Sequence, residues 1–251
     1  MAFIDFLALQ EALLLVAAVL VGYVGIVTFL SIRRSDTASA KGVLKAGAIP
    51  LGSVGFIATA LALWAETTWP LPGAYNIFFT DIYLLFGATL LILAVSMAAS
   101  LKLQFAGLFA FIAGGMTIAY GWSGYHLGLT KDPLETFLLY GAFGLTGILA
   151  FPATLVVDHY TTAPSSTTAP AAAGVAAPRR RPSLLGATRA VQPIVPADSV
   201  SASEESGASP FRLPVYINAT VIAFVVMVAL AGIAALLYLD STLPAHLASP
   251  P

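Results

Sequence analysis

Glu66 and Asp81 are the carboxylates of this chain best placed for recognition chemistry. They bracket the stretch TTWPLPGAYNIFFT, in which Pro70, Pro72 and Gly73 restrict the backbone and predict an ordered connection. Its aromatic residues Trp69, Tyr75, Phe78 and Phe79 can serve in either of two ways. They can form a belt at the boundary between membrane and water, or the stretch can fold as a lid that presents Tyr75 and Asn76 beside Glu66 and Asp81. A second connection, GWSGYHLGLTKDP, supplies Trp122, Tyr125, His126 and Asp132 to the same side. Together these residues predict a shallow polar pocket under an aromatic cover. Glu66 and Asp81 would be its anchors, Trp69 and Tyr75 its wall, with Asn76 and His126 beside them.

Each of these groups also has a plainer use. Glu11, Asp81 and Glu135 stand at the expected starts of helices, where a carboxylate meets the positive end of the macrodipole and can cap free N–H groups. Glu66 closes a helix instead, where the dipole disfavours negative charge, so it needs another partner. Asp240 also follows a helix end, but the tail beyond it offers solvation. His126 raises the question of a haem or a metal, yet His159 lies beside Asp158 at the opposite edge, a bilayer away or roughly 30 Å. His246 sits in a terminal tail, so no cofactor and no metal site is expected. Asp158 and His159 read as a water-facing helix end. The chain has no cysteine, which removes thiolate ligands and cysteine nucleophiles. It also shows no nucleophile–base spacing and no Gly-rich phosphate loop, and its connections are too short for a soluble catalytic domain. A non-enzymatic role is the expectation.

The elements that must position these residues are membrane helices. Of 251 residues, 59% are hydrophobic and 9% are charged, against about 25% charged in an ordinary soluble domain. Six uncharged apolar runs cover about 12–32, 46–65, 82–101, 103–125, 136–157 and 215–239, and a bilayer core takes about 20 helical residues. The runs lack the alternation of barrel strands, and backbone groups in lipid must be satisfied within the segment. The predicted fold is therefore all-α, a polytopic bundle of six transmembrane helices. The leading residues contain Asp5 and no basic residue, which is unlike a signal peptide.

Lysine and arginine stay on the cytoplasmic side. With the N-terminus outside, Arg33, Arg34, Lys41, Lys45, Lys102, Arg179, Arg180, Arg181, Arg189 and Arg212 fall inside, and of the 11 basic residues only Lys131 is left outside. Both termini are thus expected outside a cell membrane. The chain divides into a five-helix core at 1–160, a cytoplasmic linker at 161–209 and a region at 210–251 with the sixth helix. The linker is rich in Ala, Pro, Ser and Thr and cannot bury enough surface to fold. It reads as a tether, or as a docking segment in which the three arginines meet anionic lipid and Ser183 is a kinase target.

None of the six runs contains an ionisable residue, although coupled transporters usually need such groups at membrane depth. Thr59, Thr89, Ser96, Thr117, Tyr120 and Thr146 are expected to hydrogen-bond between helices. Glycines recur at packing spacings, among them Gly52 and Gly55, and Gly141, Gly144 and Gly147, which predicts close helix contacts. Pro50 and Pro152 fall where they can kink helices two and five. The segment DIYLLFGA at 81–88 aligns without gaps with ETFLLYGA at 135–142. The alignment raises an internal repeat of two helical hairpins, helices two–three and four–five.

The residues Thr68, Trp69, Pro70, Leu71, Pro72, Gly73, Ala74, Tyr75 and Asn76, with Asp81, Leu84, Leu85, Phe86 and Gly87, resemble a family of prokaryotic membrane proteins known as domain of unknown function 981. Tyr125, His126, Leu127, Gly128 and Leu129 and the opening Phe3, Ile4 and Asp5 add to the likeness, which covers about residues 1–160. The resemblance implies a small multi-pass membrane protein of prokaryotic type and supplies no catalytic residues. The leading expectation is a site for a small ligand, lipid or partner on the outer face. The alternatives are an accessory subunit of a larger membrane complex and a small transporter or channel. Membrane lipid is the expected surrounding, with a homo-oligomer or partner membrane subunits as further partners and no nucleic acid.

Overall fold

Apolar runs of this length fold as helices, and in the computed structural model the residues described, 6–162 and 215–248, form six of them. They are α1 (Phe6–Arg33), α2 (Thr37–Thr68), α3 (Ala74–Ala98), α4 (Gln104–Leu127), α5 (Pro133–Thr162) and α6 (Val215–Ala248). All six are long and apolar enough to cross a bilayer. Large apolar side chains such as Tyr23, Ile49, Phe56 and Phe105 point outward, as lipid-facing residues do. Most of the expected linker, with Arg179, Arg180, Arg181 and Ser183, lies outside the described residues, as does His246 as a side chain.

Helix ends follow backbone chemistry and not the edges of the uncharged runs. α2 takes Lys41 and Lys45 into its first turns and starts after Asp36, whose side chain accepts from the Ser39 N–H at 2.9 Å and caps the helix. That hydrogen bond holds the Asp36 carboxyl below the usual carboxylate range. α3 starts at Ala74, directly after the Pro70, Pro72 and Gly73 breakers, so Asp81 lies two turns inside the helix and does not cap it. Glu11 likewise lies within α1, where it is buried. Glu135 does sit in the first turn of α5.

Each helix packs on its neighbours in the chain, and α6 packs on α1, so the six form a closed ring. Within the ring α2 with α3 and α4 with α5 are the closest pairs. Their axes approach through glycine. A Cβ on Gly87 would lie 2.6 Å from Thr59 Oγ1, and one on Gly144 would lie 2.8 Å from the Gly114 carbonyl oxygen. The two hairpins raised by the sequence alignment are thus the two tightest units, but the gapless register does not describe their packing. Gly141, aligned with Gly87, would place a Cβ in open space.

Two expectations about polar residues are overturned. Thr59, Thr89, Ser96, Thr117 and Thr146 each donate to the carbonyl four residues back in their own helix, at 2.7–2.8 Å. A short hydroxyl finds its own helix first because that bond orders nothing else. Only Tyr120 of that set reaches another helix. Asp158, expected to face water, is 7% exposed and turns inward. Its two oxygens accept from the Leu103 and Gln104 N–H groups at 2.9 and 2.8 Å, so a side chain of α5 caps the start of α4. The neighbouring His159 is exposed and packs edge-on against Tyr160.

Asp158→Ala leaves two backbone donors at a buried turn without acceptors and should lower stability by about 1–3 kcal/mol. Asp158→Asn, which keeps one acceptor, should fall between. The apparent melting temperature of the purified protein in detergent reads both. An unchanged value for Asp158→Ala would mean water satisfies that turn.

Candidate functional site

The connection from α2 to α3 is built on backbone constraints. Trp69 ends α2 in the left-handed conformation, φ 51° and ψ 57°, with its N–H donating to the Ala65 carbonyl. Gly73 precedes α3 at φ 55° and ψ −127°, a region closed to side chains with a Cβ. Between them, Asn76 locks the turn. Its side chain is fully buried, its Oδ1 accepts from the Leu71 N–H at 3.3 Å, and its Nδ2 donates to the Ala65 carbonyl at 3.3 Å. Asn76 therefore faces the turn it holds together, whereas Trp69 and Tyr75 are exposed.

This turn brings the two carboxylates together. Glu66 in the last turn of α2 lies beside Asp81 of α3, and the Tyr120 hydroxyl of α4 donates to Asp81 Oδ2 at 2.7 Å. The Oε1 atom of Glu66 is buried without a hydrogen-bond partner. Glu66 thus ends α2 next to a second carboxyl, and that carboxyl is itself steadied by Tyr120.

Tyr120 also lines a shallow groove of about 220 Å³ between α3 and α4, with Ile77, Phe78, Ser123 and Leu129. The groove is firm on the α5 side. The Phe78 ring stacks on Tyr140 with centroids 4.7 Å apart, and the Tyr140 hydroxyl donates to the Phe78 carbonyl at 2.8 Å. Tyr120 was legible only as a polar atom in an apolar run, and Tyr140 carried no sequence signal as a cross-brace.

His126 belongs to a different group. It lies against Trp122, with ring centroids 4.2 Å apart, and against Tyr125, and both of those aromatics also meet Phe137 of α5. Of the six expected site residues, the structure joins Glu66 with Asp81, places Trp69 and Tyr75 in or beside the same turn, buries Asn76 under it, and sets His126 among aromatic rings. No group of three or more His, Cys, Asp or Glu residues suited to a metal ion occurs among the described residues.

The family model described as a protein of unknown function, DUF981, matches residues 1–176. The chain belongs to this family. The match takes in α1 to α5 and the whole Glu66–Asp81–Tyr120 cluster, and ends before α6. No curated protein and no solved structure matches the chain.

Two substitutions separate the turn's framework from its exposed face. Asn76→Ala leaves the half-buried Leu71 N–H and the Ala65 carbonyl without their side-chain partner and should cost about 1–3 kcal/mol. Trp69→Gly removes an exposed ring and relieves a left-handed conformation that costs a non-glycine residue about 1 kcal/mol, so it should leave stability unchanged or raise it. Thermal unfolding of both variants in detergent checks the contrast, and a large loss for Trp69→Gly would make the ring part of the framework.

Proposed function

We propose that this family member is a membrane binding protein that takes a small cationic or hydrogen-bond-donating ligand at the acidic end of its helix bundle. The observation that carries this reading is the Glu66–Asp81–Tyr120 cluster, in which three helices converge two carboxyls and a hydroxyl and leave Glu66 Oε1 without a partner. A cation is the natural complement of two adjacent carboxyls, since it offsets their mutual repulsion. Trp69 and Tyr75, exposed at the turn, supply the aromatic wall against which a cation is also held. Asn76 keeps the turn in shape, and His126 with Trp122 forms the far aromatic rim of the same end.

The acidic end faces away from the cytoplasm in this reading. Among the described residues Arg33, Arg34, Lys41, Lys45 and Lys102 gather at the opposite end, and only Lys131 departs from the pattern. Because the natural chain has no cysteine, single cysteines report orientation cleanly. Tyr75→Cys should react with a membrane-impermeant maleimide in intact cells and Lys41→Cys only after lysis. The reverse pattern would invert the topology.

Glu66→Gln preserves the shape of the side chain but removes its charge. It should weaken binding of alkylammonium probes about tenfold or more while leaving the melting temperature near that of the natural protein. Isothermal titration calorimetry of the purified protein with such a probe measures the change. Equal affinity in Glu66→Gln would remove the carboxyl pair from the site.

A further inference from the structure

The interior of the ring holds a second feature, independent of the carboxyl pair. A cavity of about 260 Å³ runs through the bundle, lined from all six helices. Along α1 its wall extends from Leu7 to Ile32, about 37 Å at 1.5 Å per residue, which matches a hydrocarbon core of about 30 Å. The lining recurs at Leu7, Leu14, Val21 and Phe29, one whole face of α1. The space exists because the facing positions of α4 and α5 are small, among them Ala110, Ala113 and Ala150. Protein interiors ordinarily tolerate few voids larger than a water molecule.

The wall is apolar except for a few side chains, and three of these leave a donor group unpaired. Gln10 is 5% exposed and Tyr83 4% exposed; both line the cavity, and Gln10 Nε2 and the Tyr83 hydroxyl have no hydrogen-bond partner. Both lie toward the acidic end of the bundle: Leu13 and Leu14, one turn of α1 beyond Gln10, pack against the cluster of Ala58, Ala62 and Tyr83. Thr28, 1% exposed, offers a third such hydroxyl toward the basic end. Glu11, the carboxylate of the wall, has a partner already. Burying a donor without an acceptor costs free energy comparable to a lost hydrogen bond. Water would need two to four polar partners, which the greater length of the wall does not provide.

We infer that the cavity is a binding site for an elongated neutral lipid whose head carries a carbonyl-type acceptor for Gln10 and Tyr83 and whose chain lies along α1 between the small residues of α4 and α5. Both glycerolipid esters and isoprenoid quinones have this chemistry. A head carrying a phosphate or other anion is excluded from the class because the wall holds no basic residue and one carboxylate, Glu11.

The full-length protein, extracted from its membrane in a mild detergent, should carry one neutral lipid per chain in native mass spectrometry. Fragmentation then distinguishes an ester from a quinone. Delipidated protein titrated separately with dioleoylglycerol and with a decyl-substituted benzoquinone should show a raised melting temperature with at least one of them. Tyr83→Phe keeps the ring and removes only the hydroxyl, and together with Gln10→Leu it should lower lipid occupancy about tenfold. Ala113→Leu keeps the donors and takes up the space, and should also displace the lipid. Glu66→Gln should leave occupancy unchanged, which separates this site from the carboxyl cluster. Three results would overturn the inference: no retained lipid together with no shift from either probe; retention of phospholipid alone; or equal neutral-lipid retention by Tyr83→Phe/Gln10→Leu and Ala113→Leu, which would put the lipid on the outer surface.

Discussion

Lipid offers no hydrogen bonds, so every polar group carried into this bundle has to find its partner inside the protein. That requirement explains most of the contacts that define the fold. Many threonines and serines of the helices meet it locally, by turning back to a carbonyl four residues earlier. The groups that cannot do so tie helices together. Asp158 reaches from α5 to the exposed amides that begin α4, Tyr140 reaches from α5 to a carbonyl of α3, and Tyr120 reaches from α4 to Asp81. Each of these bonds lies near an end of the bundle, where helix termini and connections leave backbone groups unpaired.

Between those ends, small residues do the remaining work. Hydrophobic driving force is absent between helices in lipid, and close packing replaces it. Glycine lets α2 approach α3 and α4 approach α5 until backbone meets backbone. The two hairpins then stand as rigid pairs, and α1 and α6 join them to complete the ring. Tight pairs arranged around a ring leave space at its centre wherever the inward residues are also small. The same alanine-rich and glycine-rich composition therefore accounts for both the closeness of the hairpins and the cavity between them.

The acidic end shows how a local constraint becomes a possible site. Pro70, Pro72 and Gly73 stop α2 from continuing and let α3 start at once, and Asn76 fastens the turn to the last carbonyls of α2. Asp81 is thereby carried into the bundle beside Glu66. A hydropathy run ends at a charge, so Asp81 looked like the edge of a helix. Its actual place is inside one, because Tyr120 makes an ionisable residue tolerable there. The same holds for Asp158: a carboxylate at the end of an apolar run looks solvated until the helix that needs it is brought alongside.

The sequence by itself determined the number of helices, their membrane character, the gathering of most basic residues at one end, and the ordered turn around Pro70 and Gly73. These properties depend on hydropathy and backbone chemistry summed over neighbouring residues, which a linear reading contains. The tertiary structure alone decided which carboxylate meets which donor, that α6 closes on α1, and that Gln10 and Tyr83 share one cavity. Those outcomes join positions 39 to 62 residues apart in the three bonds that brace the bundle, and no local pattern records which distant helix will supply a partner.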